Sequence, residues 1–85
     1  MKPARLLARI LAGNVANISF GDVTGLLAAL GFTEIGGKGS HRIFARPGVT
    51  ELVNLQEEGR QAKPYQVRQI AALVRRYALE LEDDT

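Results

Sequence analysis

The sequence predicts an α+β fold in which a three-stranded antiparallel sheet is covered on one face by helices, in the order αβββα, with an additional helix in front. Three observations lead there. Two segments, Val23 to Leu30 and Val67 to Leu81, carry apolar residues three and four apart, the period of a helix that buries one stripe. Between them lie three short apolar runs, separated by Gly36-Gly37-Lys38-Gly39 and by Pro47-Gly48, the punctuation of hairpins. Ahead of residue 12 the helical period appears once more. Packing two amphipathic helices on one side of a meander is the economical way to bury all three sets of apolar residues.

Taken in order, Leu6, Leu7, Ile10 and Leu11 form the apolar side of a short leading helix, with Lys2, Arg5 and Arg9 on the other side and Gly13-Asn14 as its stop. Val15 to Ile18 reads as a linker. Ser19 and Asp22 then form a capping box, with Ile18 and Val23 at the positions of a hydrophobic staple, so a second helix starts near Phe20. Gly31-Phe32 fits a Schellman ending in which Phe32 packs back on Leu27. The three strands are expected at about Thr33–Gly36, His41–Arg46 and Thr50–Gln56. In the second, His41, Ile43 and Ala45 share one face and Arg42, Phe44 and Arg46 the other. Neither face is cleanly polar, so alternation leaves the side of His41 open. Glu57 to Lys63 reads as a polar loop, Pro64 as the first residue of the last helix, and Leu81 as its last apolar position. Beyond it an acidic tail is expected to fray.

Eighty-five residues allow one domain. It divides into a leading helix and linker (1–18), a core (19–79) and the acidic tail (80–85). There is no cysteine and one histidine, which removes disulfides, thiolate zinc sites and thiol catalysis, and no metal or other cofactor is expected. Arg9 interrupts the apolar run of the first twelve residues, which is too short to span a bilayer, so a soluble cytoplasmic protein is expected. From Lys38 to Arg76 eight basic residues stand against Glu51, Glu57 and Glu58, a local charge of +5 within a total of +2. Such a body suits a polyanion, nucleic acid first, though plain solvation gives the same composition.

The stretch from Gly36 to Phe44 places that one histidine after a cationic glycine turn and at the head of a strand. Glycines let backbone N–H groups approach an anion closely, Lys38 and Arg42 add charge, and histidine is the side chain best suited to proton transfer near neutrality. A P-loop is excluded, because the first glycine of that pattern would fall on Phe32 and a strand follows where a helix is required.

Gly39-Ser40-His41-Arg42-Ile43-Phe44 early in the second strand, together with Ala62-Lys63-Pro64-Tyr65-Gln66-Val67 opening the last helix, resembles the HicA family of toxin–antitoxin modules over about Ser19 to Leu79. The likeness is to a branch with a leading helix. It implies a fold like the double-stranded RNA-binding domain, a ribonuclease that cuts mRNA, and neutralisation by a HicB-like antitoxin. It places the catalytic histidine at His41. Many members carry a Pro-x-His segment where this chain has Asn54-Leu55-Gln56, so only one histidine carries over.

On that reading His41 is a general acid or base, Lys38, Arg42 and the backbone of Gly37 and Gly39 hold phosphate, and Ser40 is a hydrogen-bond partner. Lys63 and Arg68, at the opening of the last helix, are expected to contact phosphates, the helix N-terminus itself favouring anions. Phe44 and Tyr65 are candidates to stack on bases, Phe44 also being a natural core residue. Other readings stand beside these: His41 as a half-buried strand residue bonded to backbone, the glycines as plain hairpin residues, Lys63 and Arg68 as solvated charges. At the level of function the alternatives are a non-catalytic RNA-binding module on the same basic surface and a pure interaction domain for an acidic protein. The sequence leaves open the oligomeric state. It also leaves open whether the leading helix covers the sheet, forms a dimer contact or receives the antitoxin.

Overall fold

A computed structural model describes residues 1–82. The expected tail residues Asp83 and Asp84 lie outside them. The elements are α1 (Pro3–Leu11), α2 (Phe20–Ala29), β1 (Thr33–Lys38), β2 (His41–Ala45), β3 (Val53–Glu58), β4 (Gln61–Ala62) and α3 (Pro64–Tyr77). The strands form one antiparallel sheet in the order β1-β2-β3-β4.

Local chemistry sets the helix boundaries. Ser19 Oγ accepts the Asp22 N–H at 3.0 Å and caps α2. The Asp22 carboxyl is held below its ordinary range, first by the α-ammonium of Met1 and then by the Ser19 hydroxyl. At the other end Gly31 has φ +92°, its N–H donates to Ala28 O and that of Phe32 to Leu27 O, the two bonds of the expected Schellman motif. Helix α1 closes in the same way, with Gly13 at φ +95°, its N–H on Ile10 O and that of Asn14 on Arg9 O.

Helix α3 ends at Tyr77, four residues before the expected Leu81. Ala78 adopts the left-handed conformation, and the Leu79 N–H reaches back to Val74 O. The apolar period continues past this point, but Leu79 and Leu81 satisfy it by folding back onto the core, and the Glu82 N–H donates to Ala29 O.

The sheet has four strands where three were expected. Strand β3 begins later than Thr50 and runs on to Glu58. The expected loop is a hairpin in which Glu58 faces Gln61 across Gly59-Arg60. Both turn residues have positive φ, +58° and +68°, the requirement of a type I′ turn whose twist matches the strands. On its other edge β4 is bonded by the preceding linker: the Ala62 N–H donates to Ile18 O, the Phe20 N–H donates to Arg60 O, and Ser19 bridges Gln61. Strand β1 carries a bulge between Glu34 and Gly36 that leaves Ile35 exposed.

The core joins Leu6 and Ile10 of α1, Val15 and Ile18 of the linker, the α2 stripe, Phe44, Val53, Leu55, and Val67, Ile70, Leu73 and Val74 of α3. Helix α3 lies on β3, and α1 packs across α2 and α3. The apolar side of α1 is therefore occupied within the chain itself. Among the described residues no helix is long and apolar enough to cross a membrane.

Candidate functional site

The side of His41 left open by its own strand is settled by the neighbouring one. Phe44, Val53 and Leu55 are buried against the helices, and Phe44 pairs with Val53 and Arg42 with Leu55. His41 is one residue from Arg42 and three from Phe44, an odd offset in both cases, so it lies on the other, uncovered face, where it stands between Lys38 of β1 and Gln56 of β3. Directly opposed side chains on one face have Cβ atoms about 4.5–5.5 Å apart, so Lys38, His41 and Gln56 form a contiguous row. His41 is exposed, not half-buried, and among the described residues no hydrogen bond engages its imidazole.

The turn that leads into His41 is built by glycine. Lys38 pairs with His41 across Gly39-Ser40, with positive φ at Gly39 alone (+64°), the pattern of a type II′ turn. Gly37 has φ +142°, and a Cβ there would collide with the His41 carbonyl oxygen and stand 2.8 Å from Arg42 Cα. The Ser40 carbonyl accepts the Glu57 N–H at 3.1 Å and ties the turn to β3. The two hairpin turns thus sit at the same end of the sheet.

The start of α3 is joined to this row through Gln66. Its side chain is 5 % exposed, its Oε1 accepts the Gln56 N–H at 2.7 Å, and its Nε2 donates to Tyr65 Oη at 3.4 Å. Strand β4 is too short to reach the Gln56 amide, and the carboxamide takes the place of the missing strand carbonyl. Tyr65 is exposed and Phe44 buried, so of the two aromatic candidates only Tyr65 presents its ring to solvent.

The candidate residues are therefore divided. Lys38, Gly39, Ser40 and His41 lie together. Arg42 lies on the opposite face from His41, 3.7 Å from Glu34 Oε1 and 5.4 Å over the Phe20 ring. Lys63 is the N-cap residue of α3 and Arg68 lies one turn in, beyond the Gln66 link.

Several arginines hold the fold. Arg9 donates to Asn14 O and Ala16 O, Arg46 to Leu30 O and Pro47 O, and Arg75 to Leu11 O. Arg76 stands 3.4 Å from Glu51 and over Tyr77. Among the described residues between Lys38 and Arg76, the basic side chains without such a partner are Lys38, Arg60, Lys63 and Arg68, gathered around the two turns and the start of α3. Sequence reasoning missed this sorting, and missed Gln66, whose one signal was a polar residue beside the apolar stripe of α3. No group of three or more His, Cys, Asp or Glu side chains comes together among the described residues.

An α+β domain with an N-terminal helix, a central sheet and flanking helices, carrying a glycine-built cationic turn beside an exposed histidine, is consistent with the double-stranded RNA-binding-domain type of fold. The family model described as the HicA toxin of bacterial toxin–antitoxin systems matches residues 20–75, and the chain belongs to that family. The match begins with α2, leaving α1 and the linker outside it. No curated protein and no solved structure matches significantly.

Proposed function

We propose that the chain is the toxin of a toxin–antitoxin pair, an endoribonuclease that cuts mRNA without a metal ion and is silenced by a HicB-like antitoxin. The observation that supports this reading is the row Lys38–His41–Gln56 on the uncovered face, with an imidazole that makes no hydrogen bond among the described residues. RNA brings its own nucleophile. His41 takes the proton of a 2′-hydroxyl as that oxygen attacks the adjacent phosphorus, or delivers a proton to the departing 5′-oxygen. The products are a 2′,3′-cyclic phosphate and a 5′-hydroxyl. One positioned acid or base contributes about 10²–10⁴-fold. Lys38 and the N–H groups of the Gly39-Ser40 turn stabilise the phosphorane charge, the Gln56 carboxamide orients the phosphate or ribose, and Lys63 and Arg68 hold the strand downstream. Arg42, turned to the other face, links β2 to β1 through Glu34 and contributes long-range charge.

The row contains one imidazole and no carboxylate, which favours, as the alternative, RNA binding without cleavage. Purified protein and its His41→Ala variant, assayed on a labelled mRNA with and without EDTA, separate the two. Cleavage to cyclic-phosphate ends that survives EDTA and is lost in the variant is expected. Full activity of His41→Ala removes the residue from the mechanism, and wild-type protein that binds RNA but never cuts it leaves the binding module.

A further inference from the structure

An open cleft of about 610 Å³ lies between the end of α1, the linker and the start of α3. Its walls include Arg9, Asn14, Ala16, Asn17, Pro64 and Arg68, and among the described residues no carboxylate lines it. Its far wall, from Arg9 to Asn17, lies outside the segment that matches the family model. We propose that this cleft is a second phosphate-binding subsite for the RNA backbone, built by the leading segment and added to the His41 site.

Arg68 is exposed and has no intramolecular partner among the described residues, so its five donors face the cleft or solvent. Arg9 places two of its donors on Asn14 O and Ala16 O, which shapes the wall and leaves three donors and the full charge. Two guanidiniums lining one cleft give it a positive potential, and a phosphodiester accepts from a guanidinium in the fork geometry that this group favours. Asn17 is held in the left-handed conformation at φ +58°. It and Asn14 are exposed at the rim, adding neutral donors suited to phosphate and ribose oxygens. The cleft also continues the first site. Pro64 and Arg68, one turn apart, face it, whereas Gln66 between them is bonded to the strand position opposite His41. A single strand that leaves the His41 row therefore crosses the first turn of α3 at Lys63 and enters the cleft.

This inference rests on the RNA reading above, and the test separates the two. A fluorescein-labelled 12-nucleotide single-stranded RNA is titrated by anisotropy at several salt concentrations against full-length protein carrying His41→Ala, which keeps the RNA intact. Two further variants are made in that background: Arg68→Gln, and Ala16→Glu, which adds a carboxylate to the wall without removing any native group. Each is expected to weaken binding about ten-fold, and Arg68→Gln to lower the slope of log K against log salt by about 0.7, the share of one single-strand phosphate. Arg76→Gln, away from the cleft, leaves both unchanged, and melting temperatures check that all variants fold. RNA binding by the parent that neither cleft variant alters overturns the subsite and leaves the proposed function standing. A parent that binds no RNA even at low salt overturns both. A polyglutamate peptide that binds the parent as tightly as RNA, and is lost in the same two variants, makes the cleft a protein-docking site and overturns the proposal.

Discussion

Gln66 joins α3 to the strand that backs His41, and replacing it by methionine tests that joint. Methionine keeps the length and bulk of the side chain but cannot accept the Gln56 N–H that Gln66 holds at 2.7 Å. A buried donor left without a partner costs about 1–3 kcal/mol, and the Gln56 N–H, in a half-buried bond, falls in the lower part of that range. The extra apolar burial of methionine offsets part of this, leaving about 1 kcal/mol. For a domain of this size each kcal/mol moves the melting temperature by about 4–8 °C, so a fall of about that size is expected. The amide of Gln56 should also exchange with solvent faster, while amides deep in α2 change only with global stability. Calorimetry and amide exchange by NMR read the two effects separately. A melting temperature within about 2 °C of wild type, with Gln56 protection unchanged, would refute the idea that the carboxamide substitutes for a strand carbonyl.

Two further outcomes follow from the geometry. Ala78 occupies a left-handed position that glycine fills at the ends of α1 and α2; with a cost for alanine there of about 1–2 kcal/mol, partly cancelled by the greater freedom of glycine when unfolded, Ala78→Gly should raise stability by about 0.5–1 kcal/mol in urea titration, and a decrease would refute the conformational assignment. The Glu51 carboxyl is held below its ordinary range by the Tyr77 hydroxyl first, 2.5 Å away, and then by its own backbone N–H. That contribution is fully present above the unfolded-state value and is lost as pH falls through the lower folded-state one. The gap in melting temperature between wild type and Tyr77→Phe should thus be widest at neutral pH and narrow in acid, and a gap independent of pH would show that the hydroxyl does not act through Glu51.

The parts of the fold legible in the sequence are those decided within a few residues. Ser19 caps α2, Pro64 opens α3, and Gly31-Phe32 closes α2, because each device acts on backbone groups no more than a turn away. Strand β4 escaped notice because Glu57, Glu58 and Gln61 are polar and Gly-Arg is an unfamiliar occupant of a two-residue turn; its pairing is enforced by the distant linker at Ile18 to Phe20. The end of α3 was misplaced because Leu79 and Leu81 keep an apolar rhythm while serving a chain that has already turned. The face of His41 depended on the burial of Val53 and Leu55 one strand away, and the separation of free from engaged arginines depended on carbonyls up to 64 residues distant. Charge counting along the chain sees neither.

The seam between α1 and the rest has a practical meaning for the molecule's size. Leu6 and Ile10 are 0 % and 1 % exposed, and each such side chain contributes about 1.5–3 kcal/mol by leaving water, while Arg75 clamps the last turn of α1 from α3. A chain trimmed to the residues that match the family would lose this lid over α2 and α3 and bare an apolar trough running between them. The first eighteen residues thus serve as a wall of the core itself, and a fragment without them is expected to be less stable than the full chain.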